Sequence, residues 1–222
     1  TQYANLCDHV IAPSLSVARL LERRGVRTPV TEIPTGVDID FFAGGDGAAF
    51  RERHGIPASA PVAGHLGRLA EEKNLEYLAE ALAQTLVDNA SAWALIAGQG
   101  DAEKKVRKIF REAGTEDRVV FAGKVTGSDL ADAYAAMDVF AFASTSETQG
   151  MVLVEAMAAG KPVVALDAPG AREVVRDGAN GRLLEEDAGA AAFAEVLGEL
   201  LADGELRGRY AGGARKTVPD FS

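Results

Sequence analysis

Short apolar runs alternate along the chain with longer amphipathic stretches, and glycine, proline or polar residues separate them. The short runs are typical of strands buried on both faces, whereas the longer stretches carry apolar residues at helical spacing. Strands that alternate with helices predict an α/β fold, in which helices cover both faces of a doubly wound parallel sheet. The predicted strands are residues 9–12, 30–33, 62–66, 92–97, 119–122, 139–143, 162–166 and 182–184, and the predicted helices are residues 15–24, 75–87, 102–113, 128–137, 150–159 and 188–201.

Several of these helices carry end signals. Ser14 and Ser128 stand where helices begin, and a serine there can accept a hydrogen bond from a free backbone N–H. Gly25 and Gly160 follow helices, where a glycine allows the left-handed turn that ends them. These signals support the predicted boundaries of three helices.

Residues 34–62 interrupt the alternation. They contain prolines and three glycines within four positions, and only one short helix is predicted among them. We therefore predict that residues 1–40 are the end of one unit and its link, that residues 41–60 are a connector, and that residues 61–222 form a second unit. The first unit has too few elements to bury a core and the last residues end abruptly, so we expect a piece of a larger protein, truncated at its C-terminus.

Composition narrows the functional classes. The chain is 47% hydrophobic and 25% charged, as ordinary globular proteins are, and its net charge of −10 comes with no basic block, which argues against a nucleic-acid partner. The one cysteine, Cys7, excludes an internal disulfide and is interpreted as a small buried residue, and three widely spaced histidines predict no metal cluster. Without a transmembrane-length apolar run or a secretion signal, the chain is predicted to be cytoplasmic.

The loop after the strand at residues 62–66 carries two cations. Ligands of open parallel sheets bind beyond the carboxyl ends of the strands. Gly67 lets a ligand approach the backbone there, and Arg68 and Lys73 suit a diphosphate. Two solvated surface charges are the alternative, and that is the commoner environment for both residue types. His65, on the strand, is interpreted as a packing or capping residue.

Two glutamates bracket the start of the next candidate helix. Glu147 and Glu155 stand eight positions apart, which is ~12 Å along a helix at ~1.5 Å per residue and about the length of a nucleotide-linked sugar. Between them, the free N–H groups of Gly150, Met151 and Val152 would bind phosphate. A carboxylate can accept hydrogen bonds from both hydroxyls of a diol, so the glutamates would hold the two ends of one ligand. Without the cations of the other loop, two solvated helix charges would be the favoured interpretation.

A third strand end, with the sequence AGQGD, superficially matches a dinucleotide-binding glycine loop. Gly98 and Gly100 follow a strand and precede a helix, but Glu103 occupies the third glycine position and no acidic ribose partner follows at the usual place. We therefore interpret this loop as packing near a nucleotide, with no hydride chemistry.

The chain resembles the C-terminal domain of the retaining GT-B glycosyltransferases of family 4, the glycosyl transferases group 1. Four stretches carry the resemblance and occur in the family's order: GRLAEEKN, AGQGD, VVFAGKVTGSDLADAYAAMDVFAFASTSETQGMVLVEAMAAGKPVVAL and GAREVVRDGANGRLL. They cover nearly all of residues 60–212 and imply a Rossmann-like nucleotide-sugar-binding domain. The stretch DHVIAPSLSVARLLERRGVRTPVTEIPTGVD resembles the end of the family's N-terminal domain and the link between the two domains.

The resemblance implies a reaction and assigns roles to residues. A hexose would pass from a nucleoside diphosphate sugar, of the UDP or GDP type, to a glycan, lipid or small-molecule acceptor with retention of configuration. Such enzymes are generally metal-independent, the two cations replacing the metal, and no other cofactor is expected. The implied contacts are Arg68, Lys73 and Gly67 to the diphosphate, Glu147 with the backbone of Gly150 and Met151 to the sugar, Val152 N–H to phosphate, Glu155 to the ribose, and the backbone near Val125 to the base.

The chain departs from the family pattern in two ways. Gln149 stands where many relatives have an aromatic residue, and versions similar to TETQG occur in some lipid-glucosylating members. The family's N-terminal domain supplies the acceptor pocket and any peripheral membrane contact, and these parts of it have no counterpart in the 222 residues. We therefore expect the chain alone to bind its donor weakly and not to turn over.

Two other classes stay open. A nucleotide-sugar epimerase of similar architecture would need acid and base carboxylates around the sugar, and the GRLAEEKN loop argues against it. A nucleotide-binding or assembly module that has lost catalytic activity is the second class. The intact arginine, lysine and paired glutamates argue against such a loss. Glu173 is interpreted either as approaching the site or as a helix-start charge.

Overall fold

The computed structural model describes residues 2–221, which form two parallel sheets. In the smaller sheet, β1 (Val10–Ala12) pairs with β2 (Val30–Glu32), and α1 (Leu15–Arg23) connects them. The strands of the larger sheet are β3 (Val62–Leu66), β4 (Trp93–Ala97), β5 (Val119–Gly123), β6 (Val139–Phe142), β7 (Val163–Leu166) and β8 (Gly181–Leu184). Their order is β5–β4–β3–β6–β7–β8 and every neighbouring pair is parallel, which confirms the predicted fold class.

Helices cover both faces of the larger sheet. They are α2 (Ile39–Ala43), α3 (Gly47–Arg53), α4 (Leu75–Asp88), α5 (Glu103–Glu112), α6 (Ser128–Ala135), α7 (Met151–Ala158), α8 (Pro169–Arg172), α9 (Ala190–Ala202) and α10 (Gly204–Thr217). Side chains alternate between the faces along each strand. In β6, Val139 and Ala141 pack with α4, α5 and α9, whereas Phe140 and Phe142 pack with α2, α3, α6 and α7. The core therefore has two layers.

Each predicted strand and helix is present, with its ends within two residues of the prediction. Ser14 caps α1 as predicted, since its hydroxyl accepts a hydrogen bond from the Val17 N–H at 3.3 Å. The cap prediction for Ser128 is wrong, because Gly127 occupies the cap position and Ser128 is the first helical residue. Cys7 is exposed rather than buried, because it follows a short turn outside both core layers.

The connector holds two short helices where one is predicted. Asp38 and Asp46 cap α2 and α3 by accepting hydrogen bonds from backbone N–H groups three residues later, at 3.0 Å and 2.9 Å. Phe42 and Phe50 are buried in the same core layer as α6. Packing of these two aromatic residues thus orders a stretch whose glycines favour turns.

Helix α10 has no counterpart in the sequence prediction. Its buried residues include Leu206, Tyr210 and Ala214, and it packs against α7, α9 and β8. Four glycines lower its helix propensity, so tertiary packing stabilises it. Among residues 2–221, none of the helices is both long and apolar enough to cross a membrane.

Candidate functional site

The candidate site lies at the carboxyl ends of β3 and β6, the adjacent strands at which the sheet order reverses. The chain continues from β3 to β4 on one side and from β6 to β7 on the other. The two loops therefore diverge and leave a crevice, which is where open parallel sheets bind ligands. The predicted site residues lie on these two loops, on α7 and just after β5.

The loop after β3 is held against both neighbouring strands. Gly67 N–H donates to the Ala97 carbonyl at 3.0 Å, on the side of β4. Asn74 has a φ of 55°, a left-handed conformation that its short polar side chain tolerates, and its Nδ2 donates to the Ala143 carbonyl at 3.2 Å, on the side of β6. The residue before Asn74, Lys73, is thereby held facing the loop after β6.

Lys73 and Glu147 form an ion pair across the crevice. Lys73 Nζ lies 2.6 Å from Glu147 Oε1, and the two side chains are 20% and 23% exposed. A pair that is this well shielded orients both groups. An anionic ligand that enters the crevice would compete with Glu147 for the lysine, and the carboxylate would then be available to hydroxyl groups.

A cavity of about 250 Å³ opens beside this ion pair. Arg68 also lines it, although its side chain is 67% exposed and pairs with Glu72 of the same loop. An exposed pair of this kind contributes little free energy, so Arg68 can turn toward an anion at small cost. Five predicted site residues meet in the wall of this cavity: Gly67, Arg68, Lys73, Glu147 and Val152.

His65 lines the same cavity from β3. Its side chain is 3% exposed, its Nδ1 lies 3.2 Å from the Ala141 carbonyl, and its Nε2 has no hydrogen-bond partner within residues 2–221. Burial lowers the pKa of His65 to about 4, against the opposing effects of the Ala141 bond and the charge of Glu147. The ring is neutral at pH 7, and with its proton on Nδ1 facing Ala141, Nε2 is an acceptor. Sequence reasoning anticipates the packing of His65 but not this acceptor.

The start of α7 provides unpaired donors. Gly150 has a φ of 67°, and in the described part of the chain the N–H groups of Gly150, Met151 and Val152 donate to no acceptor. These groups and the helix dipole suit an anion, as predicted from the sequence. A side chain at Gly150 would also lie 2.8 Å from the Gly170 carbonyl, so the turn requires glycine for space as well as for conformation.

Gly170, on α8, is a site residue that the sequence does not reveal. A Cβ atom at Gly170 would lie 2.4 Å from the Cβ of Glu147. The backbone of α8 therefore packs directly against Glu147 and helps to fix its direction. A single glycine near the start of a helix carries no signal that separates this role from an ordinary turn.

Glu155 lies on the second turn of α7 and is not part of the wall of the 250 Å³ cavity. Its Oε2 accepts a hydrogen bond from the hydroxyl of Tyr134, a fully buried residue, at 2.7 Å. Burial raises the pKa of Glu155, and the Tyr134 hydrogen bond lowers it. Burial and the charge of Glu155 raise the pKa of Tyr134, which remains a donor. Tyr134 thus orients the carboxylate, a role that sequence reasoning misses because the contact forms only between α6 and α7.

A second cavity, of about 330 Å³, adjoins the first and shares Gly67 and Arg68 with it. Gly98, Lys124 and Val125 line its other walls. A Cβ atom at Gly98 would lie 1.8 Å from the Gly67 carbonyl, so the glycine allows two loops to meet. The AGQGD loop therefore packs beside the candidate site, as predicted.

A larger cavity, of about 1040 Å³, lies at the opposite edge of the sheet. Asp138 and Lys161, which precede β6 and β7, line it together with α2 and α3. The amino ends of parallel strands are not the usual ligand position. We therefore assign the site by the charged groups at the carboxyl ends rather than by cavity size. Within residues 2–221, no group of three or more His, Cys, Asp and Glu side chains is arranged to hold a metal ion.

Comparison with known proteins identifies the class. The family model described as glycosyl transferases group 1 matches residues 46–217, and the chain belongs to this family. A D-inositol 3-phosphate glycosyltransferase of Xylanimonas cellulosilytica is 37% identical over 202 residues, 85% of this chain and 47% of the relative. A GDP-mannose-dependent alpha-mannosyltransferase of Mycolicibacterium smegmatis is 34% identical over 95% of this chain and 52% of the relative. The chain spans about half the length of these curated relatives.

Solved structures give the same classification. Anabaena Alr3699/HepE in complex with UDP and glucose matches with a TM-score of 0.89 and 30% identity, over 99% of this chain and 61% of that chain. Sucrose-phosphate synthase from Thermosynechococcus elongatus matches with a TM-score of 0.84 and 28% identity, over 97% and 54%. The larger sheet with its helices is therefore the Rossmann-like C-terminal domain of a GT-B glycosyltransferase, as the resemblance implies.

Proposed function

We propose that this chain supplies the donor-binding part of a glycosyltransferase that moves a hexose from a nucleoside diphosphate sugar with retention of configuration. The observation that carries the proposal is the Lys73–Glu147 ion pair, which joins a cation and a carboxylate from two loops at the reversal point of the sheet. The donor has a charged diphosphate for the lysine and, on the adjoining sugar, hydroxyl groups for the carboxylate. A solvated surface pair would not need to be shielded between two strand ends.

In this proposal, different parts of the donor would lie in the two cavities and over the start of α7. The diphosphate would lie over the unpaired N–H groups at the start of α7, next to Arg68 and Lys73, where two cations stabilise the charge that develops on the leaving nucleotide. Displaced from Lys73, Glu147 would accept hydrogen bonds from sugar hydroxyls, aided by the backbone of Gly150 and Met151. Glu155 would hold the ribose.

The nucleotide base would occupy the 330 Å³ cavity, against the backbone near Val125. The Mycolicibacterium smegmatis relative is named as GDP-mannose-dependent, and the Anabaena structure holds UDP, so we propose a UDP- or GDP-type donor for this chain. The acidic net charge of −10 makes the local pair of cations the main attraction for such an anion. No metal ion is part of the proposal, because Arg68 and Lys73 would take over its electrostatic role.

Calorimetric titration of the chain with UDP, GDP, ADP and their sugars tests this proposal. At least one nucleotide sugar is expected to bind in the millimolar range or tighter, and the absence of any binding at millimolar ligand would refute the donor-site assignment. The anomer of the product, read by NMR with the full-length protein, tests retention. An inverted product would contradict that part of the proposal.

A double variant, Arg68→Ala with Lys73→Ala, separates phosphate recognition from base recognition. It is expected to lose at least about tenfold in affinity for the diphosphate, since two charge-assisted contacts are removed. Nucleoside affinity should fall much less, because only Arg68 of the two residues borders the base cavity. Lys108→Ala with Arg111→Ala is the matched control, because these exposed residues of α5 carry the same charge. Equal losses for nucleoside and diphosphate would indicate a wrong site.

A further inference from the structure

The loop after β6 is bound to the segment that joins the two sheets. We define the donor loop as residues 144–150 and the link segment as residues 34–36. The side-chain amide of Gln149 accepts a hydrogen bond from Thr35 N–H at 3.1 Å and donates one to the Thr35 carbonyl at 3.1 Å. Both polar atoms of one side chain are therefore paired with both backbone groups of one residue.

Gln149 is the buried end of this pairing and Thr35 the exposed end, and the two hydrogen bonds fix the direction of the amide. Gln149 is 5% exposed, so an alternative orientation would leave an amide without a partner and without water. The link segment is itself held on both sides, because Ile33 N–H donates to the Ala12 carbonyl at 2.9 Å and Val37 N–H donates to the Phe221 carbonyl at 2.8 Å. Gln149 is thus attached to a segment that is anchored to both parts of the molecule.

Two more hydrogen bonds join α1 to the donor loop and to the residue that follows α8. The hydroxyl of Ser14, the cap of α1, donates to the Thr148 carbonyl at 2.5 Å, and Ser14 is 1% exposed. Ser16 N–H, in the first turn of α1, donates to Glu173 Oε1 at 2.8 Å. Consecutive residues of the donor loop, Thr148 and Gln149, are therefore both held from outside the six-stranded sheet. Glu147 immediately precedes them and Gly150 immediately follows.

We infer that Gln149 is a positioning residue, which fixes the donor loop to the link segment and so sets the direction of Glu147 and of the N–H groups at the start of α7. The inference rests on the proposed function only for what those groups bind. An apolar or aromatic side chain at this position could pack against the link segment but could not pair with its backbone. The geometry of the donor loop in this chain consequently depends on where the link segment lies.

Hydrogen exchange of the unliganded chain tests the attachment without any nucleotide. Gln149→Met keeps an unbranched side chain of similar length but removes both hydrogen bonds, and exchange at the Thr35 N–H is expected to accelerate roughly tenfold or more, since two net hydrogen bonds are lost. Gln84→Met is the matched control, because Gln84 is exposed on α4 and bonds only Asp88 among described residues. Unchanged Thr35 exchange, or equal acceleration across the whole six-stranded sheet, would overturn the inference.

The affinity of the chain for nucleotide ligands provides a second test of the inference. Gln149→Met is expected to lower the affinity for a UDP or GDP sugar about fivefold to tenfold and to leave the affinity for the nucleoside unchanged, because the base cavity does not touch the donor loop. Equal losses of affinity for the nucleoside and for the sugar nucleotide would count against positioning. If the unmodified chain binds no nucleotide, the proposed function fails while the exchange experiment still decides the attachment.

Discussion

At the scale of one residue, His65 is a neutral group in a cavity wall that also contains a cation, Lys73, and an anion, Glu147. The imidazole lies in the cavity wall beside Lys73 and Glu147, and burial keeps it neutral. The Ala141 carbonyl holds Nδ1, which leaves Nε2 as an acceptor without a partner within residues 2–221. A buried acceptor of this kind lowers stability, and such groups are commonly retained where a ligand uses them.

The pH dependence of the free energy of unfolding should reveal that His65 is buried in its neutral form. The pKa of His65 falls from 6.5 to about 4 on folding. Below pH 6.5 the unfolded chain therefore binds a proton that the native state does not bind, and the free energy of unfolding decreases as the pH falls toward 4. Between pH 7 and pH 4.5 the loss amounts to about 2 kcal/mol. His65→Leu is expected to remove this part of the pH dependence in urea unfolding measured at both pH values.

Each protein is compared with its own stability at pH 7, so a constant packing cost of His65→Leu cancels. His54→Phe serves as a second variant that loses a histidine outside the cavity. If the wild-type chain and His65→Leu lose stability equally between the two pH values, the assignment of His65 as a neutral buried residue is wrong.

The site was predictable from the sequence only as far as local motifs reach. Arg68, Lys73 and Glu147 each stand in a loop after an apolar strand, and strand order alone brings such loops together. The partners that orient the carboxylates were not predictable, because Gly170 and Tyr134 reach Glu147 and Glu155 only through packing of α8 and α6. The roles assigned to these residues in binding stay predictions.

Helix α10 illustrates at the scale of an element how packing overrides propensity. Gly212 and Gly213 adjoin each other in this helix but differ in their surroundings. A Cβ atom at Gly213 would lie 1.9 Å from the Ala179 carbonyl, whereas a Cβ atom at Gly212 would meet nothing within 4 Å. One glycine therefore allows the helix to approach the turn before β8, and the other only weakens the helix.

Substitution of these two glycines should have opposite effects on stability. Gly212→Ala is expected to raise the free energy of unfolding by about 0.5–1 kcal/mol through helix propensity. Gly213→Ala should lower it by about 2 kcal/mol or more, since backbone has to move to relieve the overlap. Urea unfolding of the two variants measures both effects, and equal shifts in the same direction would contradict the close approach.

The elements that the sequence predicted share one property: strong periodicity with clear ends. Strands β4 to β7 are continuous apolar runs, and α4 and α5 repeat apolar residues at helical spacing. Elements without that pattern were missed. The sequence GELRGRYAGGARKT of α10 has four glycines and a weak apolar face, and α8 has only four residues. Both depend on contacts with distant parts of the chain.

At the scale of the whole molecule, Arg51 fastens the connector to the larger sheet. Its guanidinium donates to the carbonyls of Ala58, Ala60 and Ala136 and pairs with Asp138 at 2.9 Å. The side chain of Arg51 is only 14% exposed, and Asp138 also accepts from Val62 N–H at 2.8 Å. One side chain thus joins α3, the end of the connector and the strand pair β3–β6.

Removal of this guanidinium should destabilise the entire domain. Arg51→Met leaves three carbonyls and Asp138 with fewer partners, and we expect a loss of about 2–4 kcal/mol. Arg53→Met, two residues away, breaks ion pairs with Asp129 and Asp132 and a cation–π contact with Phe50. It should cost about 1 kcal/mol, because the Arg53 side chain is 47% exposed. Chemical unfolding of both variants gives the comparison, and a small effect of Arg51→Met would show that the connector is held by its aromatic residues alone.

The sparse pairing between β3 and β6 has a consequence for folding. These strands share two residue pairs in register, whereas β3 and β4 share five. The groups β3–β5 and β6–β8 can each condense from neighbouring segments, but joining them brings together Val62 and Asp138, which are 76 positions apart. Closure of so long a loop is slow and comes late. We therefore expect the crevice to be completed last, so that a ligand bound in it would slow unfolding without accelerating the early steps of folding.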